Sequence, residues 1–176
     1  MQFAEEMKDP ETAHKVSEIK DFVVKTQGRS TTLSSMMGFS AEELKASYSA
    51  ACQKLLVNDL FEAGKLFFFL CTLKHDEAKH WRGLGIVMQR YKSWALAEVV
   101  YSTALRVDPS DLISRVFRAE CLMWTNRRIA ARAEVERALE DGKSNQDPKL
   151  LKYIKRAQAI LAVLDRDEHM AAEFEH

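Results

Sequence analysis

The chain has 176 residues, 47% apolar and 30% charged, the balance of a soluble globular domain long enough to bury a real core. Lys plus Arg equals Asp plus Glu, 26 of each, so no global basic field points to nucleic acid. Six Gly and three Pro favour helices over sheets, and no window approaches the roughly 18 apolar residues of a membrane span.

The N-terminus, MQFAEEMKDPE, lacks a basic region followed by an apolar run, so it does not read as a secretory signal. Residues 1–10 are polar and expected to be flexible. From Glu11 to Thr26, apolar Ala13, Val16, Ile19, Phe22 and Val23 recur at helical steps, which predicts an amphipathic helix ending near Gly28. Leu33, Met36, Met37 and Phe39 follow as a short apolar segment, so 11–43 forms an N-terminal helical region. Ser40, with Glu43 three places later, predicts a capping box and a helix from Ala41.

The next three blocks share a period. In the central one, 78–111, Trp81 stands at place 4, Leu84 at 7, Gly85 at 8, Ala97 at 20, Tyr101 at 24, Ala104 at 27 and Pro109 at 32. That is the tetratricopeptide pattern of 34 residues, in which small residues let two helices approach and large ones fill the space around them. One period earlier, 44–77 places Ala51 at 8, Ala63 at 20 and Phe67 at 24, with a turn at Asn58-Asp59. One period later, 112–145 places Ala119 at 8, Leu122 at 11, Ala131 at 20 and Ala138 at 27. Here Ser110 is the expected N-cap, Thr125-Asn126 the turn and Gly142 the C-terminal glycine. Arg115 and Arg118 occupy places 4 and 7 against the pattern, with Phe117 expected to fill the core instead. Asp147 and Pro148 open a capping helix over 148–168, before a polar tail at 171–176. The expected fold is all-α: three tandem repeats forming one curved domain over 11–170.

Chemistry is sparse. Cys52, Cys71 and Cys121 lie on apolar faces without CxxC spacing and read as reduced, buried and structural. His75 and His80 point apart on a helix, and Cys71 with His75 lacks further ligands, so no metal or other cofactor is expected. Gly83-Leu84-Gly85 is no phosphate loop, and no nucleophile stands beside an orienting acid, so no enzyme is expected.

Stacked helix pairs present their first helices on a concave side. The inward places give Tyr48, Cys52, Leu55 and Leu56, then Arg82, Ile86 and Gln89, then Val116, Glu120 and Met123. Apolar floor with a few polar groups suits an extended peptide with apolar anchors. The carboxylate clamp of repeat proteins that bind heat-shock chaperone tails is absent, since Tyr48, Cys52, Gly83, Ile113 and Phe117 stand at its places.

Several pieces together resemble one family. They are the Gly28-to-Leu33 segment, Leu44-x3-Tyr48 with Ala50-Ala51, Glu62-Ala63, Phe67-x2-Leu70-Cys71, Gly83-Leu84-Gly85 and Ala119-Glu120-Cys121-Leu122. Over Ile19 to Leu164 the chain is similar to the class II chaperones that serve the translocator proteins of bacterial type III secretion. The resemblance implies a cytoplasmic, non-catalytic protein that holds an extended N-terminal segment of a pore-forming translocator before export. Some members dimerise through their N-terminal helices, and some bind a transcriptional activator. A general scaffold for folded partners is the alternative. Cys52 and Leu55 replace aromatics usual in the family, Asn58 replaces a glycine, and the neutral charge replaces an acidic one.

Overall fold

The computed structural model describes residues 32–143 and 147–174, with side-chain surroundings to Arg166. The expected flexible N-terminus, the Glu11–Thr26 helix, the Gly28 turn and any dimer contact through them lie outside the described residues. The described chain is helical without strands: α1 Leu33–Met36, α2 Ala41–Leu56, α3 Leu60–Leu73, α4 Ala78–Arg90, α5 Trp94–Val107, α6 Leu112–Trp124, α7 Arg128–Lys143 and α8 Leu151–Phe174. They pack as two units that divide after Ser93.

The repeat period is written in the backbone. Among the described residues, Asn58, Lys92 and Asn126, each 34 residues from the next, are the non-glycine residues with positive φ, at 61°, 60° and 59°. Each follows a helix as its left-handed terminator. The next residue's N–H then reaches back five residues in the Schellman pattern: Asp59 to Lys54 O at 2.9 Å, Ser93 to Met88 O at 3.0 Å, Arg127 to Leu122 O at 2.8 Å.

In the first unit α2, α3 and α4 pack on one another, and α1 rests on α3 with Phe39 edge-on to Phe69. The expected capping box opens α2: Glu43 N–H donates to Ser40 Oγ, and Glu43 Oε2 accepts from Ser40 N–H. The places the pattern marks are buried: Ala51, Ala63, Phe67, Trp81 and Leu84. Trp81 also satisfies a polar group, its indole N–H donating to His75 O at 2.7 Å.

In the second unit α5 packs on α6, and α6, α7 and α8 share one core of Leu112, Val116, Leu122, Val135, Ala157, Ile160 and Leu164. Ala97, Tyr101, Ala104, Ala119, Ala131 and Ala138 are buried as expected, and Phe117 is buried too.

Three expectations change here. Asp111, not Ser110, caps α6: its carboxylate accepts from Ser114 N–H and Oγ, while Ser110 Oγ donates to Asp108. Gly142 lies inside α7 without a positive φ; its lack of a side chain makes room for Ile154, whose Cδ1 would stand 3.1 Å from a Cβ there. The final helix starts at Leu151 because 148–150 form a turn, with Asp147 Oδ1 accepting from Lys149 N–H. It continues to Phe174, through a tail of good helix formers that contains neither Gly nor Pro.

Candidate functional site

The inward-place residues of the first unit come together. Tyr48, Cys52, Leu55 and Leu56 recur at helical steps on α2, and Arg82, Ile86 and Gln89 on α4, the helix packed beside it. All are half-buried except Leu56, which is 81% exposed.

Tyr48 is the centre of this face. Its ring stands edge-on to Phe67 at 5.9 Å and tilted against His80 at 5.7 Å, with Lys79 Nζ 5.6 Å from the ring. Burial raises its phenol above the usual tyrosine range, the Cys52 thiol beside it adds to the rise, and hydrogen bonding to Arg82 opposes it. So Tyr48, Cys52 and Arg82 form one linked polar group between two helices. At the far end Arg90 Nη1 donates to Leu55 O and Asn58 Oδ1, which ties α4 to the end of α2. The result is an aliphatic and aromatic strip with polar groups at intervals, suited to main-chain contacts and apolar anchors.

The three candidates of the second unit do not form such a face. Val116 is fully buried in the shared core. Glu120 is held by Arg156 of α8, with Arg156 Nη2 to Glu120 Oε2 at 2.7 Å. Met123 packs against the edge of the core. The physical reason is α8, which lies against α6 and covers what the sequence pattern alone leaves inward and open.

Sequence reasoning missed two features. Trp94 and Trp124 stack at 5.0 Å with planes 9° apart, although Trp124 is 67% exposed. Arg115 and Arg118, read only as departures, form an ion-pair network: Arg115 with Glu134 and Asp141, Arg118 with Glu134 and Glu98. The mismatch with an apolar pattern was the available signal, but pairing partners on other helices are not legible from spacing.

The cysteines are free; Cys71 and Cys121 are buried, while Cys52 is half-exposed rather than buried as expected. His80 is buried with Nδ1 3.2 Å from Lys74 O; a carbonyl only accepts, so Nδ1 carries the proton. Among the described residues no group of three His, Cys, Asp or Glu could hold a metal, and no helix is long and apolar enough to cross a membrane.

The described helices thus form helical-hairpin repeats, with a half-exposed apolar strip on the leading helices of the first unit. No family model matches the sequence, and no curated protein matches it. Solved structures do. A T3SS complex from Aeromonas hydrophila matches with a TM-score of 0.74 at 25% identity, over 88% of this chain and 99% of that one. The type III secretion chaperone SycD of Yersinia enterocolitica, in complex with a peptide of the translocator YopD, matches at 0.68 and 24%, over 73% and 97%. PcrH of Pseudomonas aeruginosa, with the chaperone binding region of PopD, matches at 0.70 and 23%, over 74% and 97%. The chain therefore has the fold of the type III secretion translocator chaperones, in keeping with the resemblance in its motifs.

Proposed function

We propose that the chain is a cytoplasmic chaperone of type III secretion. It holds an extended segment of a translocator protein on the α2–α4 face, keeping the client from aggregating and from meeting its partner translocator before export. The observation that carries this reading is the fold shared with SycD and PcrH, each bound to a translocator segment. The face itself supports it: Leu56 is exposed at its edge and Tyr48 is ringed by apolar and polar partners. An extended client already near a polyproline conformation loses little entropy on binding. The reading assigns no catalytic role. Binding of a transcriptional activator and dimerisation through the N-terminal helix would be additions to it.

Co-expression with the membrane-active proteins encoded beside it tests the proposal. The expected result is a soluble one-to-one complex with a client that is insoluble alone. A partner that binds only when already folded supports the scaffold alternative instead.

A further inference from the structure

The two helices of the candidate face are short of carboxylates. α4 contains none, and those of α2, Glu42 and Glu43, lie in its first turn, where Glu43 is held by Ser40. The same helices carry Lys45, Lys54, Lys79, Arg82 and Arg90. The acids around them are committed. Asp59 pairs with Lys54 at 2.9 Å and accepts from Glu62 N–H as the N-cap of α3. Glu77 pairs with Lys79 at 3.1 Å and with Lys74 at 3.3 Å. Lys45 and Arg90 are exposed and have no carboxylate partner among the described residues.

Arg90 is held in place without being neutralised. Its Nη1 donates to Leu55 O at 3.1 Å and to Asn58 Oδ1 at 3.2 Å, both uncharged acceptors. Capping the end of α2 accounts for the first bond alone, and the carbonyl ends of the helices offset only part of a full charge. Neither bond uses Nη2 or Nε, so the exposed guanidinium keeps donors to give. Leu56 and Val57, which lie between its two acceptors in sequence, are 81% and 73% exposed. A fixed cation next to open aliphatic surface suits an acidic residue and an apolar one side by side on an extended chain.

Lys45 stands at the other end of the strip, one turn before Tyr48. From Lys45 to Leu55 the helix rises about 15 Å, a distance that an extended chain covers in about five residues.

We propose that the segment held on the α2–α4 face is acidic: one carboxylate, beside its apolar anchor, sits on Arg90, and a second, about five residues away, sits on Lys45. This rests on the chaperone reading above and names the chemistry of its client.

The test is fluorescence anisotropy of the full chain with overlapping labelled peptides that cover the membrane-active proteins encoded beside it. The peptides that bind, and that bind less well to Leu56→Ala, should hold Asp or Glu beside an apolar residue. Replacing that carboxylate by its amide should cost about tenfold in affinity. Arg90→Gln should cost the same, with little further loss when both are changed. The amide replacement leaves the protein untouched, and a thermal melt of Arg90→Gln reads any cost of the lost bonds to Leu55 and Asn58. Lys45→Gln should couple in the same way to the second carboxylate. Added salt should weaken the acidic peptide more than its amide. Binding that needs Leu56 but survives the amide replacement and Arg90→Gln undiminished, or two losses that simply add, overturns this proposal and leaves the chaperone reading intact. No binding by any peptide, or binding indifferent to Leu56→Ala, overturns that reading and this proposal with it.

Discussion

Phe67 lies across Gly83, so that a Cβ added there would stand 2.6 Å from the ring's Cζ and nearer still to two other ring carbons. The close approach of α3 to α4 rests on this absence of a side chain. Helix propensity alone makes Gly83→Ala favourable by up to about 1 kcal/mol. Overpacking a fully buried ring opposes it by about 1–3 kcal/mol, and the ring has nowhere to retreat. Gly83→Ala should therefore lower the urea midpoint without changing the slope. An unchanged or raised midpoint would show that α3 and α4 part readily.

On the candidate face, Leu56 is set for binding alone if the proposed function holds, whereas Tyr48 also packs. Leu56 is 81% exposed, so Leu56→Asp should leave melting unchanged while weakening capture of a translocator segment at least about tenfold. Tyr48 touches Phe67 and His80, so Tyr48→Ala should cost about 1–2 kcal/mol of stability in addition to binding. Isothermal titration beside thermal melts reads both. Full binding by Leu56→Asp would remove this end of the face from the site.

His80 should give the fold a mildly acidic weak point. Burial lowers its pKa below the ordinary histidine value of 6.5; the Lys79 and Lys74 charges add to this, and the Lys74 carbonyl and Glu77 oppose it. The unfolded chain then binds the proton more readily than the folded one, so stability rises with pH through this window. The contribution is whole above about pH 6.5 and falls as pH drops through the lowered folded value. Urea midpoints between neutral and mildly acidic pH should decline, and His80→Gln should flatten that decline. Parallel profiles for the two proteins would exclude His80 as the cause.

The thiols should divide two to one. Burial pushes Cys71 well above the usual range and Cys121 up to about 12, the latter also raised by Glu120 and Glu98, while Cys52 is half-exposed on the candidate face. An aromatic disulfide reagent at mildly alkaline pH should label Cys52 alone in the native protein and all three after denaturation. Bound client should protect Cys52. Rapid native labelling of Cys121 would mean that the core around α6 opens easily.

Much of the fold is legible because the repeat places encode steric size. Ala51, Ala63, Ala97, Ala119 and Ala131 are small where helices cross, and every one is buried. Asn58 and Asn126 announce their turns because asparagine tolerates a left-handed backbone. Lys92 gave no such signal, and the turn there follows from the period alone. The site was half legible. Tyr48 and Arg82, one repeat period apart, stand at equivalent places of two packed helices, with Ile86 one turn on from Arg82, whereas Val116, at the same place one period later, is sealed by α8. Which place lies under a terminal helix depends on how the array ends, and a local pattern carries no record of it. Competition between caps was equally hidden: Ser110 and Asp111 are both good N-caps, and the choice rests on Asp108 engaging the serine.

Lys92 holds a left-handed φ of 60° that its side chain does nothing to favour, where the sister turns use asparagine. A non-glycine residue in that conformation costs about 1–2 kcal/mol. The molecule thus keeps unused headroom at a solvent-facing point, reachable by one codon's worth of change. Lys92→Gly should recover part of it as a higher melting temperature.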